Sequence, residues 1–185
     1  MFQALSFLFG LWFFVSCSPL RVEAGDKGLS EDSHLFLLYQ GKPLTGILIQ
    51  KNPILSEFYE TEYYKGVPHG RYTAKKENGT LIEERNVRYG QKHGKQISYF
   101  ENGNLRQKSE FENGKPIGEF FDYFENGQIA TYQTFYDSGK PKVSKKWNKR
   151  GQIYLNHVFL ETGESFGRPG SKLCDPIPED EKKLP

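Results

Sequence analysis

Cysteine is scarce in this sequence: Cys17 and Cys174 are the only two among 185 residues. At most one disulfide can therefore form, and only if both thiols stay free. The sequence also lacks the C-x-x-C and H-E-x-x-H spacings that are typical of zinc sites. We accordingly expect no metal and no cofactor.

A surplus of charge of one sign is missing as well. The chain has 25 basic and 23 acidic residues, which gives a formal net charge of +2. Proteins that bind nucleic acids usually carry a concentrated basic patch. We therefore expect no nucleic-acid partner.

No apolar run is long enough for a comfortable transmembrane helix, which needs roughly 20 residues. The first residues read MFQALSFLFGLWFFVSC, and their mostly apolar part spans residues 5–15. A run of this length at the N-terminus is typical of the central region of a secretion signal. The sequence predicts a signal peptide over residues 1–16.

Residues 14–17, FVSC, resemble a bacterial lipobox. The resemblance implies that Cys17 receives a thioether-linked lipid and becomes the mature N-terminus after cleavage. Two or three acyl chains anchor a protein firmly, because each buried methylene adds about 0.8 kcal/mol. Ser18, rather than Asp, follows the cysteine, which favours the outer over the inner membrane. The expected location is the bacterial cell envelope, with the membrane as a partner through Cys17.

Polar composition divides the rest of the chain. Residues 17–33 are predicted to be the lipidated cysteine and a flexible tether, since they are polar with Gly and Pro. Residues 164–185 are predicted to be an irregular C-terminal tail that ends in a Pro-rich and charged segment. The domain between them covers residues 34–163.

Nine glycines in this domain obey one period of 24 residues, and a fixed period of this size indicates a repeat architecture. They form three series, in each of which the members are 24 residues apart: Gly66, Gly90 and Gly114; Gly70, Gly94 and Gly118; Gly79, Gly103 and Gly127. Apolar residues follow the same period, as in Leu81, Leu105 and Ile129. A later series of glycines at a spacing of 12 extends the pattern to about Phe159.

The repeated Asn-Gly pairs predict tight hairpin turns, in which both central residues have positive φ. The Gly-x-x-x-Gly segments predict the other turn of each unit, because two of them contain proline. Each unit is then two antiparallel strands and two turns. The segments HLFLLYQ and GILIQ, on either side of Gly41 and Gly46, read as one further hairpin. No segment has sustained helical periodicity.

The phrase G-x-x-x-G, an aromatic pair and E-N-G-x-[LI] resembles the MORN-repeat variant. The resemblance covers roughly residues 37–159 and is carried by Gly94, Tyr99, Phe100, Asn102, Gly103, Leu105, Phe111, Gly114, Gly118, Tyr123, Phe124, Asn126, Gly127, Ile129 and Phe135. It implies an all-β fold, an elongated single-layer antiparallel meander of repeated hairpins. Members of the family serve mostly as interaction or scaffold modules, and some bacterial ones are associated with toxin–antitoxin systems.

Aromatic residues make up 15% of the chain, more than one face of a thin sheet can cover. Because side chains alternate along a strand, the run at residues 120–124 places aromatics on both faces. We expect these positions to bind a protein or glycan partner. The candidates are Tyr99, Phe100, Phe120, Phe121, Tyr123 and Phe124. Polar columns that include Arg85, Ser109 and Gln133 are expected on the outer, solvated face.

The sequence supports a catalytic, metal-binding or redox function less well than it supports partner binding. His69 and His93 occupy equivalent turn positions, but Ile117 interrupts the row. The glutamates of the repeated E-N-G tripeptide occupy equivalent positions, whereas glycoside hydrolysis needs two carboxyl groups in different environments. A redox or copper-handling pair of Cys174 with His157 stays open.

The sequence thus predicts a lipid-anchored, non-enzymatic repeat protein that acts as an interaction platform or scaffold. An antitoxin or immunity protein that neutralises a partner toxin is the alternative, and a metal or redox accessory protein is a second one. The open edges of such a sheet leave oligomerisation possible.

Overall fold

A computed structural model describes the backbone of residues 18–169 and the side chains of residues 18–167. The predicted signal peptide, Cys17, Cys174 and the last 16 residues lie outside this range. Every regular element within residues 18–169 is a β-strand. The same range contains no helix with the length and apolar character needed to span a bilayer.

Two sheets contain all the strands of the described range. The small sheet has three strands: β2 (Leu29–Glu31), β3 (Leu37–Tyr39) and β4 (Lys42–Pro43). The large sheet has twelve: β1 (Arg21–Glu23), β5 (Gly46–Asn52), β6 (Glu57–Tyr64), β7 (Val67–Lys76), β8 (Leu81–Arg88), β9 (Gln91–Tyr99), β10 (Leu105–Glu112), β11 (Lys115–Tyr123), β12 (Ile129–Phe135), β13 (Pro141–Trp147), β14 (Ile153–Phe159) and β15 (Ser165–Pro169).

The predicted all-β meander is confirmed. From β5 to β15 each strand pairs with the next one in the chain, and every one of these pairings is antiparallel. Neighbouring strands lie about 4.8 Å apart, so this sheet is about 50 Å long across its strands. One hairpin cannot bury an apolar face by itself, and the stacked hairpins share that burial between neighbours.

Two-residue turns join the strands at one long edge of the meander. Lys65 and Gly66, Tyr89 and Gly90, and Asn113 and Gly114 have φ between 48° and 83°. The flanking residues pair directly, as Glu112 does with Lys115. Positive φ at both central residues defines a type I′ turn, whose twist matches that of the strands. One of the four E-N-G tripeptides, at residues 112–114, belongs to this kind of turn.

The other three E-N-G tripeptides form a different turn, so the prediction of two positive-φ residues is wrong there. In residues 101–103 only Gly103 has positive φ, at 83°. Phe100 N–H donates to the Asn104 carbonyl over 2.8 Å, and Gly103 N–H donates to the Phe100 carbonyl over 2.9 Å. This is a three-residue connection that ends in a glycine bulge. Asn102 contributes through its side chain, since its Oδ1 accepts the Asn104 N–H at 2.9 Å.

Gly70, Gly94 and Gly118 lie inside β7, β9 and β11 rather than in turns, which corrects the sequence prediction. Their φ values are 110°, 73° and 62°. The register of each strand with the one before it shifts close to these glycines. They are therefore bulge residues, which glycine suits because it adopts positive φ without steric cost.

The N-terminal part of the domain contains the main hydrophobic core, and the predicted tether is wrong over this part. β1 pairs with β5 in parallel, and Val22 is 2% exposed. Val22 packs with Leu44 and Leu48, which are 1% and 5% exposed. Partly buried residues of both sheets complete the cluster: Leu29, Leu37, Tyr39 and Tyr63.

The predicted hairpin around Gly41 and Gly46 is also wrong. β3 turns at Gly41 into the short β4, while β5 starts at Gly46 in the other sheet. Leu44 lies between them, fully buried. The chain therefore passes from the small sheet to the large sheet at Leu44, whereas a continuous hairpin would keep both segments in one sheet.

The C-terminal end is longer than predicted. Residues 165–169, which were expected to be irregular, form β15 and pair with β14. Phe166 lies opposite Val158 in this pairing and is 60% exposed. The meander therefore continues for one strand beyond Phe159, where the sequence predicted its end.

Candidate interaction surface

Three aromatic side chains lie together on one face of the sheet, on β11 and β12. Phe121 pairs with Tyr132 across the strands, with ring centroids 5.1 Å apart at 50°. Tyr123 lies two residues further on and therefore on the same face. Its ring is 6.1 Å from that of Phe121, at 17°. We call Phe121, Tyr123 and Tyr132 the aromatic cluster.

Two lysines flank the aromatic cluster. Lys108 of β10 pairs with Phe121, and Lys145 of β13 pairs with Tyr132. Residues that pair across strands point to the same face, so a row from Lys108 to Lys145 crosses four strands. A hydrophobic patch between two cations suits an apolar side chain with carboxylates on either side.

A hydrogen bond orients one ring of the cluster. Tyr132 Oη donates to Glu119 Oε1 over 2.8 Å. This bond to a carboxylate, assisted by partial desolvation, raises the pKa of Tyr132. The phenol therefore stays neutral at physiological pH and presents an uncharged ring.

The six aromatic candidates from the sequence do not form one site. All six are partly exposed. Phe121 and Tyr123 belong to the cluster, whereas Phe120 pairs with Gln133 on the opposite face. Tyr99 lies at the end of β9 opposite Leu105. Phe100 and Phe124 begin the glycine-bulge turns, where their N–H groups donate to Asn104 and Gln128 carbonyls.

The opposite face contains a buried polar row instead of the solvated columns that the sequence predicted. Ser109 is 3% exposed and Gln96, its cross-strand partner, is 7% exposed. Further along, Gln133 Nε2 donates to Ser144 Oγ over 3.2 Å. Arg85, which pairs with Gln96 on this face, has its guanidinium 3.9 Å from the centre of the Tyr72 ring.

His69 and His93, the two histidines at equivalent positions of the repeat, have different surroundings. The His69 ring lies 4.6 Å from Tyr89 and 5.7 Å from Tyr64 between centroids. His93 Nδ1 accepts the Asn113 N–H at 3.5 Å. In the described part of the chain, no three His, Cys, Asp or Glu side chains are grouped as metal ligands would be.

Sequence reasoning missed the two lysines and did not single out Tyr132. Lys108, Phe121, Tyr132 and Lys145 belong to four different strands, and each of the three pairings between these strands contains a bulge that affects which residues meet. A repeat period alone does not reveal such a row. Each bulge adds residues to one strand only and so changes which residues of the two strands pair. Alternation within β12 was the available signal, since it places Tyr132 on one face and Gln133 on the other.

Comparison with known families and structures gives a repeat assignment. The model of the MORN repeat variant matches residues 92–115. A search of curated proteins finds no match. Among solved structures, the crystal structure of TarM is similar at 15% identity and a TM-score of 0.32. The similar region covers 54% of this chain and 19% of the TarM chain, so it spans about a fifth of that chain.

The matched segment corresponds to one structural unit. Residues 92–115 number 115 − 92 + 1 = 24, which equals the glycine period. They run from β9 through the glycine-bulge turn and β10 to the type I′ turn before β11. Residues 92–115 thus match one MORN repeat variant, and this unit lies within a sheet of repeated antiparallel hairpins.

Proposed function

We propose that this protein is a non-enzymatic MORN-type repeat lipoprotein of the bacterial cell envelope that binds a protein partner through its aromatic cluster. The partner surface would present an apolar side chain next to carboxylates. The observation that carries the proposal is the row in which Phe121 and Tyr132 lie between Lys108 and Lys145. MORN repeats are generally interaction repeats, which agrees with this role.

The length of chain before β1 bears on the lipid anchor. Ser18, Pro19 and Leu20 are the only residues between Cys17 and β1. Four residue steps span at most about 14 Å when fully extended. A lipid on Cys17 would therefore hold the N-terminal end of the sheet against the membrane, while the cluster on β11 and β12 lies several strands away from it.

Phe121 and Phe120 offer a matched test of the binding surface, since they are neighbours on opposite faces. We expect Phe121→Ala to weaken partner binding by about tenfold or more, which is the usual loss for a central aromatic contact. Phe120→Ala should leave binding unchanged. Partners captured from envelope extracts by the wild-type protein would be identified and then titrated against each variant.

Thermal unfolding of both variants serves as the control for folding. Equal binding by the wild type and Phe121→Ala, with both folded, would exclude the aromatic cluster as the partner site. Identification of the captured protein also separates the general platform from an antitoxin, because an antitoxin would retain a toxin.

Cys17→Ala tests the anchor independently of the partner. In a bacterial host we expect radioactive palmitate to label the wild-type chain and not the variant. Cys174→Ala is the matched control and should retain the label. Labelling of Cys17→Ala at the wild-type level would refute lipidation at this residue.

A further inference from the structure

Five large apolar and aromatic side chains are exposed close together at one corner of the large sheet. Leu35 is 78% exposed and Tyr89 is 59% exposed. Leu20, Tyr64 and Phe36 are 46%, 40% and 39% exposed. Exposed apolar residues that are scattered singly need no explanation, whereas a contiguous group of them marks an interaction surface. We call these five residues the apolar corner.

Short distances connect the members of the apolar corner. Leu20 and Tyr64 line one groove, and His69 lines it with them. The centroid of the His69 ring is 5.7 Å from that of Tyr64 and 4.6 Å from that of Tyr89. The apolar corner therefore extends from the residue before β1 to the turn after β8, along the edge that carries the type I′ turns.

Leu35 and Phe36 belong to a closed loop between β2 and β3. The Asp32 Oδ1 accepts the N–H groups of His34 and Phe36, both at 2.9 Å. The loop lies against a type I′ turn, since a Cβ added at Gly66 would be 3.0 Å from the Phe36 Cβ. Leu35 has a φ of 63°, which is uncommon for a bulky residue. Backbone strain of this kind is concentrated at functional sites.

The position of Cys17 decides which partner suits the apolar corner. Ser18, the residue after Cys17, lines the same groove as Leu20 and Tyr64. A lipid attached to Cys17 would therefore enter a bilayer beside the apolar corner. Leucine and phenylalanine side chains leave water at a bilayer surface, and tyrosine rings are favoured at the level of the headgroups.

We propose that the apolar corner contacts the membrane and that the loop of residues 32–36 inserts Leu35 at the boundary between headgroups and acyl chains. This inference rests on the proposed lipidation of Cys17 and adds a contact made by the protein itself. A lipid alone leaves the domain free to rotate about its tether, whereas an inserted loop fixes which edge of the sheet faces the bilayer. The next type I′ turn, at residues 113–114, is Asn-Gly, so the apolar surface ends at Tyr89.

Ile54 offers a matched control at the other long edge of the sheet. It is 91% exposed and follows the end of β5, whereas the apolar corner lies where β5 begins. The seven residues of β5 separate the two edges by about 24 Å. Interfacial apolar side chains lie only about 5–10 Å into the headgroup and acyl boundary, so Ile54 stays in water when Leu35 is inserted.

Quenching of tryptophan fluorescence by brominated phospholipids tests this orientation. The lipidated chain is reconstituted into phosphatidylcholine vesicles, with or without bromine on the acyl carbons nearest the headgroup. Trp147, the one tryptophan that follows Cys17, is replaced by phenylalanine in every variant. We expect the bromine to remove most of the emission of Leu35→Trp and none of the emission of Ile54→Trp.

Two results would overturn the proposal. One is equal quenching of Ile54→Trp and Leu35→Trp. The other is unquenched Leu35→Trp in a folded chain that carries the palmitate label, which would leave a protein partner as the occupant of the apolar corner. Circular dichroism reports the fold of each variant. Tyr89→Trp replaces one exposed aromatic residue by another and should show the same loss of emission if Leu35→Trp does not fold.

Palmitate labelling and quenching separate this proposal from the lipid anchor. A labelled chain without quenching at residue 35 would refute membrane contact by the apolar corner and leave lipidation of Cys17 standing. Quenching at residue 35 without the label would refute the lipid anchor and support the membrane-contacting surface. The Phe121→Ala experiment concerns residues on β11 and β12, so its result is independent of both.

Discussion

Leu44→Ala is expected to lower the free energy of unfolding by about 2–5 kcal/mol. Leu44 is 1% exposed and is the largest fully buried side chain in the described range. It packs with Val22 and Leu48. Both of these residues belong to paired strands, so the cavity left by the substitution cannot easily collapse. Urea denaturation followed by circular dichroism measures the loss.

Leu35→Ala is the matched control for this substitution. Leu35 belongs to the same N-terminal part of the domain but is 78% exposed. Replacement of an exposed leucine should change stability by less than about 0.5 kcal/mol. Equal effects of the two substitutions would show that the cluster around Leu44 is not the main core of the protein.

Gly46→Ala should destabilise the protein by about 1–3 kcal/mol through a steric clash with Leu20, the residue before β1. An added Cβ would collide with the Leu20 carbonyl oxygen and would lie 3.1 Å from the Leu20 carbonyl carbon. That same oxygen accepts the Ile47 N–H at 2.7 Å. The strand must move to admit a methyl group, and the parallel pairing that covers Val22 would weaken.

Hydrogen exchange distinguishes this local effect from a general one. In Gly46→Ala we expect the Ile47 amide to lose more protection, relative to the wild type, than the amides of the distant strands lose. Gly25→Ala is the control, since a Cβ at Gly25 would meet nothing within 4 Å. Wild-type protection of Ile47 in Gly46→Ala would mean that β1 tolerates the methyl group.

Both substitutions act at one end of a long sheet, which follows from the architecture. In a repeat sheet each hairpin contacts only its neighbours, and stability is roughly a sum of local terms. The middle of the meander has few fully buried apolar residues, with Ala74 as the one among the described strands beyond β5. Substitutions of core residues are therefore expected to cost the most stability in the N-terminal part of the domain, where the two sheets pack together.

The glycine columns show how far sequence reasoning reached and where it stopped. Their period predicted the number of strands in each unit and the alternation of two connections, and both are confirmed. The period did not distinguish a turn glycine such as Gly66 from a bulge glycine such as Gly70. Both residues need positive φ, so they give the same signal in the sequence.

The candidate site shows a similar limit. Alternation along β11 correctly separates Phe120 from Phe121, because neighbouring side chains of a strand point to opposite faces. The partners of Phe121 on adjacent strands depend on register, and register here includes bulges between Lys108 and Glu110 and between Asp122 and Tyr123. One residue of register moves every side chain to the other face, so the row could not be read from the period.

The sequence by itself determined the local rules of this protein: strands from alternating aromatic and polar residues, and turns from glycine and asparagine that tolerate positive φ. These rules act over a few residues and repeat along the chain. The tertiary structure alone decided that residues 21–23 pair in parallel with β5 at the edge of the large sheet, that Leu44 is buried between two sheets, and that Lys108 and Lys145 lie on either side of the aromatic cluster. Those contacts join residues that are distant in the chain, and their stability comes from burial and register, which depend on the assembled fold.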